Sequence, residues 1–201
     1  RFHHMYFHKG DSIRLKSNKD LIVGESIPLN GNLHRKKMVL VIFIDAFSAS
    51  LLKRASLEDI APNTYNFFKK GVIFNNCFSN SEYTLTSLSS MNTGKYPHKN
   101  NFFHPRERQI LTNNGKILSQ RFQESGYFTQ LISGNPGQNP DRGYCKGYDR
   151  VVYQNELSSK DIIYELSDSM RIFKNRDVFN WISLFDIHHE LALIPGFSAD
   201  A

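Results

Sequence analysis

The longest unbroken apolar stretch of the chain, MVLVIFI at 38 to 44, ends on Asp45. A run of aliphatic and β-branched residues this short and this continuous predicts a strand covered on both faces of a parallel sheet. Further runs at 72–78 (VIFNNCF), 128–133 (FTQLIS) and 178–186 (VFNWISLFD) predict three more strands. Between them the apolar spacing lengthens to that of helices. SASLLKRA suits a short helix, and Pro62 opens APNTYNFFKKG with Gly71 as its stop. Residues 84–92 suit another helix, and 115–127 a third, with Gly126 as C-cap. Over 158–175, Ile162, Ile163, Leu166, Met170 and Phe173 fall on one helical stripe. Strands alternating with helices need right-handed crossovers, so this order predicts an α/β sandwich. Residues 1–36 differ: short apolar pairs between turn residues predict a strand-rich lead-in, set apart from a domain over 37–201.

Composition leaves this picture intact. With 201 residues, 40% hydrophobic and 13% aromatic, the chain has enough apolar surface for one domain with a sizeable core. A net charge of +6 suits an anionic partner such as a phosphate ester or a charged glycan. The basic residues are scattered, and without an arginine-rich run or an aromatic ladder nucleic acid is not the expected partner. No apolar run approaches the roughly 20 residues needed to span a bilayer, and no h-region follows the basic start, so no compartment is assigned. His3, His4 and His8 lie in that start, as a metal-binding tract, an aromatic packing segment or residues foreign to the natural chain. Cys77 and Cys145 have no metal-type spacing and are expected as buried free thiols. The Arg1 start, and an end at GFSADA without helix stop or tail, read as a piece of a longer chain.

Ligands of an open parallel sheet bind at the carboxyl ends of its strands. Asp45 occupies that place on the first strand, either as a divalent-cation ligand or as the N-cap of the next helix. Asp186, His188 and His189 occupy it on the last. The segment SEYTLTSLSSMNT holds seven Ser and Thr hydroxyls. Among them Thr84 falls at the predicted start of a helix, where backbone N–H groups and the dipole favour negative charge. It is either a helix cap or a nucleophile awaiting deprotonation.

Five segments in order, VLVIFIDAF, APNTYNFFKKGVIFNNCFSNSEYTLTSLSSMNTGKYPHKNN, SQRFQESGYFTQLISG, GYDRV and WISLFDIHH, resemble the N-terminal half of the sulfatase and alkaline phosphatase superfamily. The resemblance covers Lys37 to His189 and implies a three-layer α/β sandwich with a mostly parallel sheet. Counted back from TGKYPH, the position of the modified cysteine or serine of sulfatases falls on Thr84, and the first-strand metal ligand falls on Asp45. The resemblance therefore implies a divalent cation (Zn, Mn, Mg or Ca) held by Asp45 and Thr84. It further implies attack of Thr84 on a phosphate ester, less readily a sulfate ester, of a glycan or lipid head group. It places His188 and His189 among the substrate contacts, with Asn135, Asn139 or Arg142 standing in for the Lys and His that sulfatases carry after the FTQLIS strand. Three departures shape it. Threonine cannot become formylglycine, the sulfatase Pro and Arg that follow are here Thr86 and Leu88, and the second Asp after the first strand is Ala46. A threonine nucleophile resembles the phosphoglycerol and phosphoethanolamine transferases of the superfamily. The remaining metal ligands are expected beyond residue 201, and without them the site is incomplete. The alternative, resting on Ala46, Leu88 and the missing loop Lys and His, is a catalytically silent relative that binds an anionic glycan or partner.

Overall fold

The apolar runs at the two ends of the domain meet side by side in the computed structural model, which describes residues 5–27, 37–74, 76–103, 109–111 and 115–188. Four strands form one sheet: β1 (Met38–Ile44), β2 (Phe128–Ser133), β3 (Arg150–Tyr153) and β4 (Val178–Leu184). Their order is β1-β4-β2-β3 and every pairing is parallel. Seven helices accompany them among the described residues: α1 (Ala49–Leu52), α2 (Leu57–Ile60), α3 (Pro62–Phe68), α4 (Thr84–Thr93), α5 (Pro97–Asn100), α6 (Leu118–Glu124) and α7 (Ser159–Ile172).

Alternation along β2 and β4 divides the core into two layers. Leu131, Phe179 and Trp181 point to one face and pack on Leu85 and Leu88 of α4, with Phe122 of α6 stacked on Phe179 at 4.2 Å. Ile132 and Ile182 point to the other and pack on Ile162 and Leu166 of α7. Helices thus cover both faces, and the expected three-layer α/β sandwich is what forms. On the α7 side, Arg150 of β3 and Glu165 form a largely buried ion pair at 2.9 Å.

Helix ends follow local chemistry. Gly94, at φ +67°, closes α4 in the left-handed conformation that glycine adopts without a Cβ penalty. Pro97 then opens α5. The amide of Asn100 ties this corner together, donating to Ser89 Oγ at 3.1 Å and accepting from the Phe102 N–H at 3.0 Å. TGKYPH is therefore a turn that fixes where α4 stops.

Several expectations change. Among the described residues of 72–78 there is no strand, and Val72, Ile73, Phe74 and Phe78 are exposed. A strand requires a neighbour for its backbone N–H and C=O groups, and no described residue supplies one there. The helices predicted at 115–127 and 158–175 are trimmed to Leu118–Glu124 and Ser159–Ile172. β3 is a strand too short for its pattern to announce. β1 reads as covered on both faces, yet it lies at the sheet's edge with Met38, Ile42 and Ile44 exposed. Residues 5–27 contain no strand, and both cysteines are free as expected but exposed rather than buried. Among the described residues no helix is long and apolar enough to cross a membrane.

Leu131 is fully buried at the centre of the α4-side core. Leu131→Ala is expected to lower the unfolding free energy by about 2–5 kcal/mol. Urea titration followed by circular dichroism measures this, and an unchanged midpoint would show that the core is not built around β2.

Candidate active site

Three parallel strands deliver their carboxyl ends to one edge of the sheet. Asp45 follows β1, with its N–H bonded to the Leu184 carbonyl of β4 at 3.1 Å. Asn135 follows β2 after Gly134. Gly134 has to be glycine, because a Cβ there would lie 2.3 Å from the Leu157 carbonyl oxygen. The first residue of α4 stands over the same edge.

The Asp45 carboxylate is buried and accepts from three groups. The Ala46 N–H donates to Oδ1 at 2.9 Å, and Asn135 Nδ2 donates to Oδ2 at 2.7 Å. The Thr84 hydroxyl lies 3.2 Å from Oδ1 and 3.0 Å from Oδ2. Ala46 takes φ +61° to make its contact, a left-handed conformation costly for a residue with a Cβ. All three donors are neutral. No Lys, Arg or His among the described residues pairs with Asp45.

Thr84 is half-buried at the first position of α4. The helix is capped by Tyr83 without a side-chain hydrogen bond, so the Thr84 hydroxyl is not spent on capping and faces Asp45 instead. The first turn of α4 precedes its first intrahelical bond, from Ser87 N–H to the Tyr83 carbonyl. Its N–H groups lend positive potential beside the hydroxyl. Tyr144 holds this end of the helix in place, donating from its hydroxyl to the Leu85 carbonyl at 2.9 Å. Burial pushes the Tyr144 phenol far above its usual range, against a smaller opposing effect of the Arg142 charge, so it remains a donor.

The other sequence-predicted residues are spread around this pair. Asn135 is buried, its side chain joined to Asp45 and, through Oδ1, to the Gly137 N–H at 2.8 Å. Asn139 accepts from the Asp141 N–H at 3.2 Å, and the Arg142 carbonyl accepts from the Leu111 N–H at 2.8 Å. Asp186 accepts from the Ser159 N–H at 3.0 Å and from its hydroxyl, so it secures the start of α7. His188 is exposed and stacks on Phe185 at 4.6 Å between ring centres. His189 lies outside the described residues. Leu88, at the position of the sulfatase arginine, is fully buried in the core. The bond from Asn135 to Asp45 had no sequence signal, because it spans the end of β4 and depends on strand order.

Asp45 and Thr84 supply adjacent oxygen donors, the ligand type of a hard divalent cation, and a buried carboxylate without a cationic partner suits one. These two fit such an ion as part of its coordination sphere. Among the described residues no group of three or more His, Cys, Asp or Glu could hold a metal.

A family model described as Sulfatase matches residues 37–168. No curated protein matches the sequence. Two solved structures share the fold. The C-terminal periplasmic domain of phosphoethanolamine transferase EptC from Campylobacter jejuni has a TM-score of 0.53 and 14% identity, over 75% of this chain and 45% of its own. Phosphonoacetate hydrolase from Sinorhizobium meliloti 1021, in complex with phosphonoacetate, has a TM-score of 0.55 and 12% identity, over 88% of this chain and 53% of its own. The chain spans about half the length of these structures.

Tyr144→Phe removes one hydrogen bond from the start of α4 and is expected to cost about 0.5–1.5 kcal/mol at neutral pH. Because the phenol is raised in the folded state, its contribution is complete below the unfolded value of about 10 and is lost as pH climbs above it. Denaturant titrations at pH 7 and above pH 10 should therefore show a shallower alkaline decline in the variant than in the parent. An identical decline would mean that Tyr144 is not buried as described.

Proposed function

The chain belongs to the sulfatase family, and on that premise we propose that it contributes the nucleophile of a metal-dependent transferase or hydrolase acting on phosphate esters. The observation that carries the proposal is the Thr84 hydroxyl resting on the buried Asp45 carboxylate at 3.0 and 3.2 Å, at the N-terminus of α4.

Asp45 and Thr84 are the residues that would hold the divalent cation. When bound, such an ion lowers the pKa of a hydroxyl and neutralises the non-bridging oxygens of an ester. The chain's own residues do the rest. Asp45 accepts the hydroxyl hydrogen and so leaves a lone pair of Thr84 Oγ1 directed away from the carboxylate. That oxygen forms a bond to phosphorus as the bond to the leaving oxygen breaks; the hydroxyl proton passes to Asp45, and the leaving oxygen takes a proton from water and departs as an alcohol. Water or an acceptor alcohol then displaces Thr84 in a second step, which regenerates the hydroxyl. The first-turn N–H groups of α4 favour the phosphate's negative charge throughout. Phosphate is preferred to sulfate because threonine cannot become the formylglycine of sulfatases, and because Leu88 is packed into the core where they carry arginine. A glycan or lipid head group fits the chain's positive charge, and His188 and His189, which follow β4 in the sequence, are proposed as its contacts.

A second reading is supported by Ala46, by Leu88 and by the short donor set of the described residues. In it the chain is catalytically silent and binds an anionic glycan or partner.

Two measurements separate the readings. Calorimetry with Mn²⁺ should show stoichiometric binding to the parent and binding weaker by tenfold or more, roughly, in Asp45→Asn, from which the ligand charge is gone. Absence of binding in the parent favours the silent relative. Turnover of a p-nitrophenyl phosphodiester by the full natural protein should fall on the order of a thousandfold or more in Thr84→Ala. Turnover that survives this change excludes Thr84 as the nucleophile.

A further inference from the structure

Asn135 stands at the end of β2, where a substrate contact would be expected, yet its surroundings give it another task. It is 1% exposed, and its amide bridges Asp45 Oδ2 and the Gly137 N–H. Its own N–H donates to Ser133 Oγ at 3.1 Å. The chain then turns through a single 3-10 turn, Pro136–Gln138, with Pro136 fixing φ at its first position. Gln138 is buried and accepts from Ser183 Oγ at 2.5 Å, which anchors the far side of the turn to β4.

Between these anchors Gly137 lies directly against Thr84. A Cβ at 137 would sit 3.0 Å from Thr84 Cγ2, 3.4 Å from Thr84 Cβ and 3.0 Å from Asn135 Oδ1. Residues 135–137 therefore adjoin both members of the Asp45–Thr84 pair: Asn135 bonds the carboxylate, and Gly137 lies so near the Thr84 methyl that a side chain at 137 would crowd it.

The two heavy atoms on a threonine Cβ turn together, so packing that fixes Cγ2 also fixes Oγ1. We infer that the 135–137 turn is a positioning element, in which Asn135 orients Asp45 and Gly137 seats the Thr84 methyl so that the hydroxyl faces the carboxylate. Threonine rather than serine serves at position 84 because the methyl is what the turn grips. A serine there keeps the hydroxyl but is free to occupy the other staggered wells. Asn135 on this view acts through Asp45 and does not touch substrate. The inference rests on the reading of Thr84 as nucleophile.

Thr84→Ser, Gly137→Ala and their combination test it in the full natural protein, read by kcat and KM on a phosphodiester. The χ1 populations of Thr84 are read separately, from three-bond couplings between its methyl carbon and the backbone. Gly137→Ala should lower kcat roughly ten- to hundredfold with KM little changed, and should move the Thr84 couplings away from a single rotamer. Thr84→Ser should lower kcat about tenfold. Adding Gly137→Ala to Thr84→Ser should then cost less than Gly137→Ala costs in the parent, because the contact with the methyl is gone and only that with Asn135 Oδ1 remains. Additive losses, or single-rotamer couplings retained in Gly137→Ala, overturn the inference. If Gly137→Ala does not fold, Thr84→Ser decides alone, and kcat equal to the parent's overturns it. Failure of the underlying nucleophile reading is distinguishable: it appears as turnover surviving Thr84→Ala, whereas the couplings report positioning without any turnover.

Discussion

A buried carboxylate is costly unless its charge is met, and the surroundings of Asp45 are organised by that requirement. The donors come from three separate parts of the chain: the backbone of Ala46, the start of α4 and the turn after β2. They converge because β1, β4 and β2 run parallel and end together. Asn135 must reach past the end of β4 to find Asp45, and small residues at that end, Ser133 opposite Ser183, accompany this approach. The strained φ of Ala46 is part of the same arrangement, since it turns the N–H back onto Oδ1. Strain of this kind persists where surrounding contacts over-determine it.

The same arrangement links the core to the hydroxyl. Leu85 and Leu88 seat α4 on the sheet through Leu131, Phe179 and Trp181, and Tyr144 ties down the Leu85 carbonyl. With the helix so fixed, Thr84 has little backbone freedom, and a Cβ at Gly137 would crowd its methyl. Leu88 is fully buried in the core, while the Thr84 hydroxyl at the start of the same helix reaches Asp45.

Much of this was legible in the sequence. β1, β2 and β4 were readable as strands from their short runs, and α7 from its helical stripe. A helix over 84–92 was readable from the segment, and α4 spans Thr84–Thr93, whereas the choice of Thr84 among its hydroxyls came from the sulfatase resemblance counted back from TGKYPH. What the sequence hid depends on long-range packing. Arg150–Tyr153 becomes a strand because β2 offers it an edge, whereas residues 72–78 have equal apolar content and no edge among the described residues. The cysteines are small apolar residues whose exposure depends on where their loops run. Asn135 looked like a surface ligand at a strand end until the strand order placed Asp45 beside it.

A threonine that forms a covalent ester during turnover carries the group in its mass. Acid-quenching the full natural protein while it turns over a phosphodiester, then weighing its proteolytic fragments, reads this directly. Thr84 as nucleophile predicts the phosphoryl-bearing adduct on the fragment containing Thr84 and on no other. Turnover with the adduct on a different residue, or with none under conditions that preserve a threonine ester, would contradict it.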